Sequence, residues 1–139
     1  MARFLLDTNA VSEFRRRDSM DSNFVAWARS VSATDFAISV LTRFELEARF
    51  ARLNRRDPEQ AARVRHWIDT FVTPTFADAT FPITEAIALR CAPMHVPDKR
   101  PVIDSLIAAT ALEHRLIVVT RNEADFSGLG VDLLNPWLA

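Results

Sequence analysis

Four acidic residues, Asp7, Glu45, Asp104 and Asp125, stand beside short apolar runs or in the opening turns of helical patterns. If the fold gathers them, their charges repel unless a cation joins them, and an all-oxygen donor set is the kind that holds Mg²⁺ or Mn²⁺. The chemistry such a centre supports is metal-dependent hydrolysis. Each acid also has a local alternative. Glu45 closes Thr42-Arg43-Phe44-Glu45, which matches the capping box in which a glutamate satisfies a backbone amide. Asp104 would favour a helix N-terminus by roughly 0.3–1 kcal/mol. Asp125 would be the third residue of a helix capped by Asn122.

The elements that position these acids follow from patterning. Phe4-Leu5-Leu6 is too short for a helix and is closed by small polar residues, as a buried parallel strand would be, which leaves Asp7 at its carboxyl end. Asn9 is expected to cap a helix through Arg16, with Glu13 in an early turn where it suits the helix dipole. A second helix carries Phe24, Trp27, Ala28 and Val31 on one face. Phe36 to Ser39 forms a second strand, and Ser39 opens a helix to Asn54 or Arg56 with Val40, Leu41, Phe44, Ala48 and Ala51 as its apolar face. Asp57 and Pro58 start the next helix, expected to reach about Phe71 and to end at Pro74. A strand at Thr75-Phe76-Ala77 and an Ala-rich helix from Thr84 to about Met94 come next, and Pro93, Pro97 and Pro101 mark a loop.

Val102 to His114 is helical, with Ile103, Leu106, Ile107, Thr110 and Ala111 toward the core. Asp104 shares a stripe with Ala108 and Ala111, so it tilts toward the packed side. Leu116 to Val119 is the clearest strand and leads into Thr120-Arg121-Asn122; Gly128 and Gly130 turn the chain into a last strand from Val131 to Leu134. The alternation implies an α/β fold, a three-layer α/β/α sandwich around a central parallel sheet. Right-handed crossovers then bring Asp7, Ser39 and Thr120 to one edge, where ligands bind in such sheets.

At 139 residues and 49% apolar content, the chain fits one domain over residues 1–139 with a substantial core. It shows no signal-peptide core or membrane span, so a cytoplasmic protein is expected. Cys91 is single, which excludes a disulfide framework and a Cys zinc site. His66, His95 and His114 show no paired spacing for metal-free acid–base cleavage. All 17 basic residues but Lys99 are Arg, in clusters at Arg15 to Arg17 and at Arg49, Arg52, Arg55 and Arg56. Arg forks suit phosphates, although an Arg excess also arises from genome composition. A receiver domain would need a Lys after a late strand, whereas Lys99 lies in the Pro-rich loop, and a haloacid-dehalogenase phosphatase would need an acid where Asn9 stands.

Five motifs occur in a telling order: Leu6-Asp7-Thr8-Asn9 with Ser12-Glu13, Ser39 to Leu46, Asp104-Ser105-Leu106-Ile107-Ala108-Ala109-Thr110-Ala111, Thr120-Arg121-Asn122 with Asp125-Phe126, and Asn135-Pro136-Trp137. Together they resemble the PIN-domain ribonucleases, above all the VapC-type toxins of toxin–antitoxin pairs and their FitB-like branch, over essentially the whole chain. The resemblance implies a PIN-like fold and a metal-dependent endoribonuclease. It assigns Asp7, Glu45, Asp104 and Asp125 as catalytic and metal-binding acids, with Asn9, Ser39, Thr120, Arg121 and Asn122 in substrate-binding or supporting places. It further implies Mg²⁺ or Mn²⁺, an RNA substrate, a cognate antitoxin, and a homodimer or larger toxin–antitoxin assembly. Phe44 departs from the glycine or other small residue that many relatives carry before the glutamate, a departure that leaves the acids intact and bears only on the shape of the substrate entrance. The competing reading is a non-catalytic binding module of the same fold.

Overall fold

The computed structural model describes residues 1–138; Ala139, the last residue of the expected domain, lies outside the described residues. Strand β1 (Phe4–Leu6) is the middle of a five-stranded parallel sheet. Its companions are β2 (Phe36–Ser39), β3 (Thr80–Phe81), β4 (Ile117–Val119) and β5 (Leu133–Leu134), in the order β3-β2-β1-β4-β5. Successive strand residues face opposite sides, and both sides are covered. Phe4, Leu6, Phe36, Ile38 and Val119 join one core with Ala10, Phe24, Leu46 and Trp67. Leu5, Ala37 and Val118 join another with Ile107, Ala108, Ala111 and Phe126. Burial on both faces is why these strands carry unbroken apolar runs.

The first side is covered by α1 (Thr8–Glu13), α2 (Ser22–Ser30), α3 (Val40–Arg56) and α4 (Pro58–Trp67), with Ile68, Val72 and Phe76 packed in around the short, exposed α5 (Thr73–Thr75). The second is covered by α7 (Val102–His114), on which α6 (Glu85–Cys91) packs through Ile87 and Ala109. This is the expected three-layer sandwich. From β1 the chain builds β2 and β3 on one flank and then returns to lay β4 and β5 on the other. The direction of winding therefore reverses between β1 and β4, and a crevice opens beyond their carboxyl ends.

Several local expectations are corrected. Asn9 does not cap α1: the Asp7 side chain does, accepting from Ala10 N, and the α-helix stops at Glu13 before a 3-10 segment, Phe14–Ser19. Glu13, expected in an early turn, is instead the last residue of α1 and is buried, accepting from Asp21 N at 2.8 Å and from Trp137 Nε1 at 3.4 Å. On α3 the buried residues are Thr42 and Leu46, while Val40 and Phe44 face outward, Phe44 at 60% exposure. Apolar residues lie on two sides of this helix, so periodicity alone did not identify the packed one.

Pro74 does not end the helix after Asp57 either. A π-turn over Ile68–Val72 shifts the backbone hydrogen bonding, and Pro74 is accommodated at the start of α5, where its missing N–H is harmless. Phe76, expected in a strand, closes this helical run and is buried in the core. The strand forms instead at Thr80 and Phe81, where they pair with Ile38 and Ser39. The last strand is shorter than expected, Leu133–Leu134 rather than Val131 to Leu134. No helix among the described residues is long and apolar enough to cross a membrane.

Candidate active site

Asp7 leaves β1 with its N–H donating to the Val119 carbonyl at 3.1 Å, which ties the end of β1 to β4 at the reversal point. One carboxylate oxygen accepts from Ala10 N at 2.9 Å. The residue is 5% exposed, and burial pushes its carboxyl up from the ordinary 3.8; the neighbouring Thr120 hydroxyl and the Ala10 amide pull it down, and the Glu45 charge raises it further.

Glu45 is brought in by α3. Ser39 caps that helix, accepting from Leu41 N, so Glu45 sits beyond the first turn and the capping-box alternative falls. Its carboxylate instead accepts a hydrogen bond from the Thr8 hydroxyl of α1. Asp104 lies in the first turn of α7, half-buried. Burial foremost, then the charges of Asp125, Asp7 and Glu45, push its carboxyl up to about 6. Asp125 is on a 3-10 turn, Glu123–Phe126, whose preceding Asn122 makes no side-chain cap bond. The side-chain cap expected of Asn122 is absent: Asp125 N donates to the Asn122 backbone carbonyl at 3.1 Å, while Asn122 N donates to the Thr120 hydroxyl at 3.0 Å.

All four acids line one cavity of about 180 Å³, together with Thr8, Asn9, Arg49 and Asn122. Among the described residues no three Asp, Glu, His or Cys side chains are already drawn together as a metal cluster. The acids surround a space rather than crowd a point, as mutual repulsion favours. Of the supporting residues, Asn9 and Asn122 line the cavity and Thr120 flanks Asp7. Ser39 acts as the α3 cap, outside the cavity lining, and Arg121 lines an adjoining depression with its guanidinium 5.8 Å from the Trp137 ring centre.

The PIN domain family model matches residues 4–130. The chain belongs to the PIN-domain family. It is similar to Toxin FitB of Neisseria gonorrhoeae, with 32% identity covering 96% of this chain and 97% of the relative. It is also similar to VapC ribonuclease Y4jK of Sinorhizobium fredii, with 28% identity covering 96% of each. Among solved structures, the crystal structure of FitAcB from Neisseria gonorrhoeae matches with a TM-score of 0.85 and 30% identity, over 98% of this chain and 99% of the other.

Within this PIN domain, sequence reasoning did not foresee the contacts that anchor the acids or stand beside them. Thr8 anchors Glu45, and its position directly after Asp7 was the available signal. Arg49 donates to Ser12 at 3.2 Å and to Asn9 at 3.5 Å, and it is the one cation in the cavity lining; it stands one helical turn after Glu45. Behind Asp104, the Ser105 hydroxyl donates to the Val102 carbonyl and lies 2.9 Å from His95 Nε2, while Arg100 N donates to the other ring nitrogen. This secures the start of α7 to the loop before it.

Proposed function

We propose that this PIN domain is a metal-dependent endoribonuclease acting as the toxin of a toxin–antitoxin pair. The observation that carries the reading is the convergence of Asp7, Glu45, Asp104 and Asp125 on one small polar cavity at the reversal point of the sheet. The likeness to a named toxin and a named ribonuclease over nearly the full length supports it.

The donor set fits Mg²⁺ or Mn²⁺, since it is carboxylate throughout and contains no soft ligand. Asp7, Glu45, Asp104 and Asp125 would hold the ion, which supplies an activated water and neutralises phosphate charge when bound. The upward push on Asp104 and Asp7 is the electrostatic counterpart of that fit, because a bound cation would reverse it. The chain's own groups do the positioning. The Ala10 amide orients Asp7 and the Thr8 hydroxyl orients Glu45, so their carboxylates need little reorganisation. Arg49, with Asn9 and Ser12 steering its guanidinium, offers a cation at the rim where a phosphodiester enters. Asn9 and Asn122 add amide groups for the substrate's oxygens.

A cytoplasmic homodimer controlled by a cognate antitoxin belongs to the same proposal. The test is cleavage of labelled RNA by purified protein with Mn²⁺. Cleavage is expected to stop in chelator and with Asp7→Asn. Undiminished activity in excess EDTA, once contaminating nuclease is removed, would sink the mechanism. No cleavage under any metal condition would return the fold to the non-catalytic binding module.

A further inference from the structure

The acidic cavity poses an electrostatic problem that its own residues do not solve. RNA is a polyanion, and the cavity that must receive it is lined by four carboxylates and a single Arg. The net charge of −1 gives no overall attraction, so any steering must come from local asymmetry.

That asymmetry lies on the adjoining surface. A groove of about 460 Å³ between the end of α1, α3 and α4 is lined by Arg15, Arg16, Arg49, Arg52 and Arg56, and no acidic residue contributes to it. It shares Arg49 with the acidic cavity, so the two spaces meet at one guanidinium. Among the described residues, Arg15, Arg52 and Arg56 have no carboxylate within salt-bridge distance, in contrast to Arg16, 3.7 Å from Glu13, and to Arg43 and Arg65, which are paired with Glu47. Glu45, Arg49, Arg52 and Arg56 follow one another at helical spacing along one stripe of α3. From Glu45 to Arg56 that stripe spans roughly 16 Å at 1.5 Å per residue. Between the guanidiniums, the half-buried Leu53 and Val64 add apolar surface to the groove.

We infer that the Arg stripe of α3, with Arg15 and Arg16 opposite, is a track for the phosphate backbone of single-stranded RNA and delivers the strand into the acidic cavity at Arg49. This rests on the ribonuclease reading and deepens it by naming how the substrate is held. An acidic protein segment would also find cations here. The track nevertheless favours RNA, because its cations line up with the cavity in which an RNA phosphodiester would be cut, and because Arg forks match phosphates spaced along a strand.

The test separates binding from cleavage. Chelator-treated protein is titrated with a fluorescent single-stranded RNA at several salt concentrations, and log affinity is plotted against log salt. Each phosphate contact contributes about 0.7 to the slope for a single strand. Arg52→Gln with Arg56→Gln should lower its magnitude by about 1.4, and each single change by about 0.7. Arg52→Lys with Arg56→Lys should keep most of it, and Arg55→Gln, outside the groove lining, should leave it unchanged. Melting curves confirm that the variants fold. An unchanged slope in the double Gln variant overturns the track, as does a poly-glutamate peptide that binds in the groove while RNA does not bind the protein. Cleavage by wild type in Mn²⁺ is scored separately. Cleavage with an unchanged slope removes the track and leaves the ribonuclease; a reduced slope without cleavage removes the ribonuclease and leaves the track.

Discussion

Replacing Asp104 by Asn separates a site under electrostatic strain from a helix-terminal charge, because the two predict opposite signs. In the metal-free protein, burial and three neighbouring carboxylates raise Asp104 from 3.8 to about 6. That rise corresponds to about 3 kcal/mol of preference for the protonated form. Because the side chain is only half-buried, solvent screening reduces this to about 1–1.5 kcal/mol. The folded pKa lies above the unfolded one, so the protonated form supplies stability that is complete below about pH 4 and lost as pH rises through about 6. The Asn side chain keeps the volume without the charge. In chelator at pH 7.5, Asp104→Asn is therefore expected to melt about 3–5 °C above wild type for a chain of this size. The advantage should shrink toward zero as pH falls to 4, and cleavage should be lost. If Asp104 served only the N-terminus of α7, the variant would instead melt lower at pH 7.5, by the equivalent of roughly 0.3–1 kcal/mol. Differential scanning fluorimetry across pH decides; a lower melting point at pH 7.5, or a gap that does not narrow in acid, would refute the reasoning.

The remaining predictions probe the residues that surround the acids. Glu45→Gln should reduce cleavage by at least about a hundredfold while leaving the far-ultraviolet circular dichroism unchanged; retained activity would remove Glu45 from the site. Thr8→Val withdraws the hydroxyl that orients Glu45 and should lower the activity or the Mn²⁺ affinity by about ten- to a hundredfold, read from a metal titration of the cleavage rate. Glu13→Ala strands the Asp21 amide and the Trp137 indole N–H and should cost about 1–3 kcal/mol in urea unfolding, against roughly 0.3–1 kcal/mol if the residue served only the helix dipole. Phe44→Ser should change stability by no more than about 0.5 kcal/mol, because the ring is largely in solvent.

The parts of the fold legible in sequence are those where one local signal was unopposed. Phe4 to Leu6, Phe36 to Ser39 and the run before Thr120 could only be short buried strands, and Asp57-Pro58 could only begin a helix. Their order then dictated the parallel sheet and its ligand-binding edge. Competing local signals gave the errors. Thr75-Phe76-Ala77 has strand-like composition, but the helix ahead of it runs on through a π-turn and claims Phe76 for the core. On α3, Val40 and Phe44 form as good an apolar stripe as the residues that are buried, and only the position of the sheet selects Leu46 and Thr42.

The acids were legible one by one because Asp7, Asp104 and Asp125 sit at or just past element ends and Glu45 lies near the start of α3, and a carboxylate in such a place stands out. What holds them was not, and the reason is separation along the chain. Thr8 reaches Glu45 across 37 residues and Arg49 reaches Asn9 across 40. Those pairs exist only once β1 and β2 lie side by side and set α1 against α3. Ordinary threonines and arginines carry no local mark of such a partnership. The same geometry makes the site depend on the sheet: Asp7 is fixed by the Val119 carbonyl of β4, while Glu45 is fixed by Thr8 one residue beyond Asp7. A substitution that loosens the β1–β4 pairing, such as Leu5→Ala, which opens a core cavity at a cost of about 2–5 kcal/mol, would move two acids together and so disturb the cavity before it unfolds the chain.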